Sequence, residues 1–265
     1  MKIIIAASII NNRVYINNIH NLTFTGEIII KYNDVIIYQN NITLINKIVW
    51  FAPYLLMSDI SKINVILVDD NGNEFYSATP IPYVTFMRES NEELNEICDF
   101  MKNDNINNIV EIGSYQGEST IIFSEYFKNS KVFAVDFWTN HYDDRELSIN
   151  RFNMTDIEKN FDTITKDYSN IIKIKMESKN FSNIIADKSI DFIYIDGDHT
   201  YNGIYNDILN WKTKIKNGGF IGGHDYNDIN KDTIIKAVEE FFPNDKINTV
   251  GPSWLIKIKN INDKF

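Results

Sequence analysis

Asn108-Ile109-Val110-Glu111-Ile112-Gly113-Ser114-Tyr115-Gln116-Gly117-Glu118-Ser119 begins as an apolar run, breaks at two glycines and passes into a helix start. Glycines let a turn pass close beneath a ligand before the helix begins, which suits a nucleotide-like cofactor. The dinucleotide fingerprint G-x-G-x-x-G needs glycine where Tyr115 and Glu118 stand, so NAD is disfavoured. An acidic residue before the first glycine suits a cofactor carrying an amino group and a sulfonium better than one carrying a pyrophosphate. The turn nominates Glu111, Gly113, Ser114, Gly117 and Ser119 as cofactor contacts.

Downstream of this turn, strands and helices alternate. The pattern predicts strands at 109–112, 132–136, 171–175, 192–196, 220–223 and 254–258, with helices from about 118, at 201–216 and at 232–242 and a polar helical stretch ending near 166. Such alternation implies an α/β fold with a doubly wound, mostly parallel sheet covered by helices on both faces. Ligands of such sheets bind beyond the carboxyl ends of the strands, so the residues just after each strand are the ones to read for chemistry.

Upstream the period differs. Short β-branched and aromatic runs broken by Asn-rich punctuation cover 13–16, 22–31, 35–39, 47–51, 63–68 and 74–78, and Asp70-Asn71-Gly72-Asn73 marks a hairpin turn. The opening ten residues read as a first strand rather than a signal peptide, because a small-residue cleavage pattern is missing. The front therefore reads as a small antiparallel β domain, residues 1–82, ahead of an α/β domain, residues 83–265. Pro80-Ile81-Pro82 punctuates the change, and Ser90-Asn91-Glu92-Glu93 forms a capping box ahead of Leu94, Ile97, Cys98 and Met101 on one helical face. His20 lies in a turn-like stretch and reads as a surface residue.

A chain of 265 residues, 44% hydrophobic, can supply one or two real cores. Its formal net charge of −10 opposes partners held by phosphate contacts, so nucleic acid is not the expected substrate. The single cysteine, Cys98, excludes an internal disulfide or a thiolate metal cluster and fits a reducing, cytoplasmic setting. No apolar run is long enough to span a membrane. A homo-oligomer stays open.

The strand ends carry the polar residues. Asp136 ends the second strand, where a carboxylate can accept both ribose hydroxyls of a cofactor, and Phe137 follows it. Glu177 and Ser178 follow the third strand, where an adenine ring would lie. Ile190-Asp191-Phe192-Ile193-Tyr194-Ile195-Asp196-Gly197-Asp198-His199 and Gly218-Gly219-Phe220-Ile221-Gly222-Gly223-His224-Asp225-Tyr226 then deliver five polar groups from two strands to one place.

This pairing, with the glycine turn and Asp136, resembles the class I methyltransferases. Within them it resembles the family that includes the macrocin and mycinamicin sugar O-methyltransferases, over about residues 108–258. The resemblance implies a Rossmann-like fold, S-adenosylmethionine as cofactor, and a divalent cation, Mg²⁺ or Mn²⁺, held by Asp196 and by the pair His224-Asp225. It implies His199 as general base, with Asp196 touching both cofactor and reacting atoms. The family has two acidic residues where this chain has His224-Asp225; an imidazole there tilts the preference toward Mn²⁺ if it ligates, and His224 can otherwise hydrogen-bond beside the metal.

The chemistry explains the set. A hydroxyl holds its proton too tightly at neutral pH to attack a methyl group, so a Lewis acid and a base are needed. The expected acceptor is a small polar molecule, a sugar or sugar-containing metabolite of surface-glycan or natural-product biosynthesis. The alternatives are metal-independent methylation of another oxygen, such as one on phosphate, and a silent glycan-binding protein. Residues 138–166, with His141, Tyr142, Asp143, Asp144 and Arg145, read equally as a lid or as a solvated helix.

Overall fold

The computed structural model describes residues 5–10, 13–18, 24–44, 49–51, 63–78, 81–82, 92–139 and 154–259. They divide into two units, Met1–Asn91 with Leu147–Asn160, and Glu92–Glu146 with Phe161–Phe265. His20, Ser90, the 141–145 group and the Pro80 punctuation lie outside the described residues.

The first unit holds two four-stranded sheets. One is ordered β5-β2-β1-β8, from β1 (Ile5–Ile10), β2 (Arg13–Asn18), β5 (Val49–Phe51) and β8 (Ile81–Pro82). The other is ordered β4-β3-β6-β7, from β3 (Phe24–Tyr32), β4 (Val35–Leu44), β6 (Ile63–Asp69) and β7 (Glu74–Ala78). In β3, Phe24, Ile28 and Ile30 are buried while Thr25 faces out, the period of a half-buried strand. Asn33 and Asp34, both left-handed at φ 49° and 63°, close the β3–β4 hairpin; short polar side chains tolerate that conformation best. Pairing is antiparallel as expected except between β1 and β8, which run parallel. A parallel pair requires a long connection, and nearly the whole module lies between these two strands.

The second unit is a seven-stranded sheet ordered β11-β10-β9-β12-β13-β15-β14. Its strands are β9 (Asn108–Ile112), β10 (Lys131–Asp136), β11 (Ile171–Lys175), β12 (Ile190–Ile195), β13 (Ile215–Gly223), β14 (Asn248–Val250) and β15 (Ser253–Lys257). The first five are mutually parallel, and β15 runs antiparallel to both β13 and β14. The helices are α1 (Glu92–Asp99), α2 (Glu118–Tyr126), α3 (Met154–Thr165), α4 (Ser178–Ile184), α5 (Tyr201–Trp211) and α6 (Lys236–Phe241).

Successive residues of the central strands enter different cores. Ile109, Phe192 and Tyr194 pack with Leu94, Ile97, Cys98 and Met101 around α1 and with Ile122 and Phe123 of α2. Their neighbours Val110, Ile112, Ile193 and Ile195 pack with Phe181 of α4, Ile208 and Trp211 of α5, and Val238 of α6. Burying a large apolar side chain of this kind contributes roughly 1.5–3 kcal/mol. Helix α1 and the turn after it thus bury the four residues that the period selected.

Asp191 sets the alignment at the amino edge. One carboxylate oxygen accepts the N–H groups of Asn107 and Asn108 at 3.0 and 2.9 Å, and the other meets Lys216 Nζ at 2.7 Å. These bonds satisfy a buried charge and tie the starts of β9, β12 and β13 together. The crevice between the carboxyl ends of β9 and β12 is the switch point, where the strand order reverses.

Within the second unit the structure departs from the predicted elements in three places. Helix α5 stops at Trp211, a single tight turn follows at Lys212–Lys214, and β13 starts at Ile215. Ile215 is buried and pairs with Ile190, and Gly218 at φ 81° carries the chain on. The helix expected at 232–242 begins as a π turn, Lys231–Ile235. Strand β14 is an unpredicted three-residue edge.

Candidate functional site

The turn after β9 is built by backbone crowding. Gly113 has φ 86°, and a Cβ there would lie 2.1 Å from the Asp196 carbonyl oxygen, so no side chain fits. Gly113 and Ser114 N–H groups both donate to the Val135 carbonyl at 2.9 and 3.3 Å, and Asp196 N–H donates to Ile112 at 2.8 Å. Gly117, φ 89°, starts α2 beneath the Phe161 ring, which a Cβ would meet at 2.9 Å. The turn is therefore a bare backbone ledge between β10 and β12.

The expected contacts on this turn separate by depth. Glu111 is wholly buried, on the sheet face covered by α2, and accepts a hydrogen bond from Thr120 Oγ1. Burial pushes its carboxyl pKa up, outweighing the Ser119, Thr120 and Ser114 hydroxyls that pull it down. Ser114 and Ser119 are buried as well. Glu111 and these hydroxyls underpin the ledge, while Gly113 and Gly117 form it.

Asp136 closes the next side. Its Oδ2 accepts Tyr115 N–H at 2.9 Å and its Oδ1 accepts Trp138 N–H at 2.8 Å, while Trp138 Nε1 donates back to the Tyr115 carbonyl at 2.8 Å. Each carboxylate oxygen of Asp136 thus accepts a backbone N–H of the turns that flank this strand end. Phe137, between them, is 41% exposed, an apolar face beside the ledge. Tyr115 and Trp138 are both left-handed at φ 45°, a strained state for bulky residues that tends to occur at functional sites.

Glu177 is exposed and precedes α4, its Oε2 accepting from Asn180 Nδ2 at 3.3 Å. Ser178 turns inward instead. Its hydroxyl donates to Asp207 Oδ1 at 2.6 Å and accepts from Trp211 Nε1 at 2.7 Å, so it anchors α4 to α5. Desolvation raises the Asp207 carboxyl to about 6, against the Ser178 bond and with help from Asp198. Sequence reasoning missed Asp207; an Asp inside an amphipathic helix gives no signal that its side chain faces in.

Beyond β12 and β13 the polar side chains converge. His199 Nε2 lies 3.5 Å from Asp196 Oδ1 and 3.3 Å from Asp225 Oδ2. Ligand atoms of Asp196, His199 and Asp225 all fall within 4.8 Å of one another. At 19, 30 and 23% exposed, these side chains are partly desolvated, and the His199 Nε2 atom between them is buried. Two carboxylates and an imidazole at that spacing fit a divalent cation by donor type.

His224 sits at the edge of this group. Its Nδ1 is 3.4 Å from Asp225 Oδ1 and 3.8 Å from Asp196 Oδ1, and its Nε2 is 3.6 Å from Glu93 Oε1. Asp225 is held left-handed at φ 60°. Asp198, the fifth residue expected here, serves locally: its Oδ1 accepts Thr200 N–H at 2.8 Å, and Thr200 caps α5 through Gly203 N–H.

Residues 110–226 match a family model described as a methyltransferase domain. That span holds the ledge, Asp136 and both converging strand ends. The matched span carries a methyltransferase domain, seated on the mostly parallel α/β sheet described above. It is similar in fold to the cofactor-bound Rv0187 of MTB, at 12% identity and TM-score 0.48, covering 67% of this chain and 85% of that one. It is also similar to Aeropyrum pernix fibrillarin with natively bound S-adenosyl-L-methionine, at 11% identity and TM-score 0.43, covering 73% and 93%. No curated protein matches the chain. Among the described residues no helix is long and apolar enough to cross a membrane.

Proposed function

We propose that this methyltransferase transfers a methyl group to a hydroxyl of a small polar acceptor, with a divalent cation assisting. The acceptor is a sugar or sugar-containing metabolite of surface-glycan or natural-product biosynthesis, and the enzyme works in the cytoplasm. Residues 1–82 are an accessory β module and residues 83–265 the catalytic domain. The net charge of −10 supports a small acceptor over nucleic acid. The observation that carries the reading is the convergence of Asp196, His199 and Asp225 beside the bare ledge at Gly113.

The ledge suits S-adenosylmethionine because Gly113 and Gly117, packed against Asp196 and Phe161, keep it bare backbone with no side chain of their own to cover it. Gly113 and Gly117 admit the cofactor, Asp136 accepts its ribose hydroxyls, and Phe137 and Glu177 border its base, with Ser178 bracing Glu177 from behind through Asp207 and Trp211. When bound, S-adenosylmethionine supplies a sulfonium methyl that needs only in-line placement. Asp196 and Asp225 hold the cation, Mg²⁺ or Mn²⁺, with His224 beside them. When bound, the cation supplies Lewis acidity toward the acceptor hydroxyl. His199, poised between the two carboxylates, takes the proton from that hydroxyl.

A second reading keeps the fold and cofactor without metal. His199 Nε2 lies 3.3 Å from Asp225, and a carboxylate-paired imidazole can act as base alone. Labelled S-adenosylmethionine incubated with sugar and sugar-nucleotide acceptors, with and without EDTA, separates the two. Transfer that stops in EDTA and returns with Mn²⁺ supports the metal; undiminished transfer in EDTA removes it.

A further inference from the structure

Glu93, in the first turn of α1, has a carboxylate with partners from distant strands. Its Oε1 accepts a hydrogen bond from Ser253 Oγ, and Ser253 Oγ lies 2.9 Å from the hydroxyl of Tyr194. Tyr194 and Ser253 are wholly buried, on β12 and at the start of β15. The same Oε1 faces His224 Nε2 at 3.6 Å, and the opposite ring nitrogen faces Asp225 and Asp196. Helix α1, whose only obvious role is to cover the sheet, thus reaches the edge of the strand-end cluster.

We propose that Glu93 is a positioning residue: anchored by Ser253 and Tyr194, it keeps the hydrogen of His224 on Nε2 and turns the Nδ1 lone pair toward Asp196 and Asp225. This rests on the metal reading above and deepens it. Imidazole ligands typically donate their second N–H to a carboxylate, which fixes the ring and raises its basicity. Two anionic carboxylates would otherwise draw a hydrogen onto Nδ1. With Glu93 opposite, that nitrogen is kept as a donor toward a cation, and His224 adds one nitrogen to the oxygens of Asp196 and Asp225.

The test reads nitrogen and metal separately. In metal-free protein labelled with ¹⁵N-histidine, with His224 assigned by its loss in H224Q, the side-chain shifts should show the Nε2–H form. E93A should lose that signature and bind Mn²⁺, followed by electron paramagnetic resonance, roughly 10–100-fold more weakly. E93Q, whose amide oxygen can still face Nε2–H, should keep the signature and most of the affinity. S253A, which frees the anchor but retains the carboxylate, should shift both readouts the same way by less, and it serves if E93A does not fold. Unchanged ¹⁵N shifts and Mn²⁺ affinity in folded E93A or S253A would overturn the inference. Absence of Mn²⁺ binding in the unaltered protein overturns the metal reading instead, and the nitrogen signature still decides what Glu93 does.

Discussion

The Asp196 carbonyl oxygen occupies the space a side chain on Gly113 would need, 2.1 Å from where its Cβ would stand. The ledge proposed for the cofactor and the strand end bearing the first carboxylate of the cluster are one junction. Anything that pries Gly113 away from β12 displaces Asp196 too.

Gly113→Ala should therefore damage both functions together. The left-handed φ and the backbone clash should cost at least about 1–3 kcal/mol of stability. Calorimetry should show S-adenosylhomocysteine affinity falling in parallel. Wild-type melting and binding in this variant would show that the junction yields without consequence.

Asp136→Ala should leave the Tyr115 and Trp138 N–H groups without their carboxylate acceptor. Leaving such groups unpaired costs ~1–3 kcal/mol, read as a lower melting temperature. Cofactor affinity should drop as well, whereas Asp136→Asn, which keeps one acceptor oxygen, should lose less of both. Unchanged S-adenosylhomocysteine binding by Asp136→Ala would remove the basis for placing the ribose at this strand end.

Asp207 predicts a pH dependence. Burial raises its carboxyl from 3.8 to about 6, so the fold favours the protonated form. The stability this contributes is complete below the unfolded value and is lost as pH rises through about 6. Asp207→Asn stays neutral and keeps an oxygen to accept the Ser178 hydroxyl. Its stability relative to wild type should rise from pH 4 to pH 7 by no more than about 3 kcal/mol. Denaturant titrations at several pH values check this, and a constant difference across that range would refute it.

Cys98 is wholly buried among the α1 contacts, and burial, aided by Asp99, pushes its thiol above the usual range. The thiolate is the reactive form. The native protein should therefore resist aromatic disulfide reagents, and the denatured chain should yield one equivalent. Rapid labelling of the native protein would mean that α1 opens from the sheet.

What the sequence revealed of this molecule was whatever is written locally. Strands β9, β10, β12 and β13 announce themselves by apolar runs ended by Gly or Asp, and α1 by its spaced Leu94, Ile97, Cys98 and Met101. The convergence of Asp196, His199 and Asp225 was legible because adjacent parallel strands bring their ends together. Strand β14, three residues on an edge, has too short a pattern to read. The inward turn of Ser178 toward Asp207 and the reach of Glu93 to Ser253 depend on which face each helix presents after packing. Glu93 could be read only as a helix-starting residue, because its second set of partners comes from the far end of the chain.

The left-handed backbone at Asp225 bears on how this site can be dissected by mutagenesis. Alanine there removes the carboxylate and adds conformational strain at once, so an inactive Asp225→Ala enzyme would report two injuries. Glycine accepts that backbone freely and asparagine tolerates it better than most residues. Asp225→Gly and Asp225→Asn together discriminate the loss of a charge from the loss of a shape. Position 225 thus offers a pair of controls that His199, on ordinary backbone, does not need.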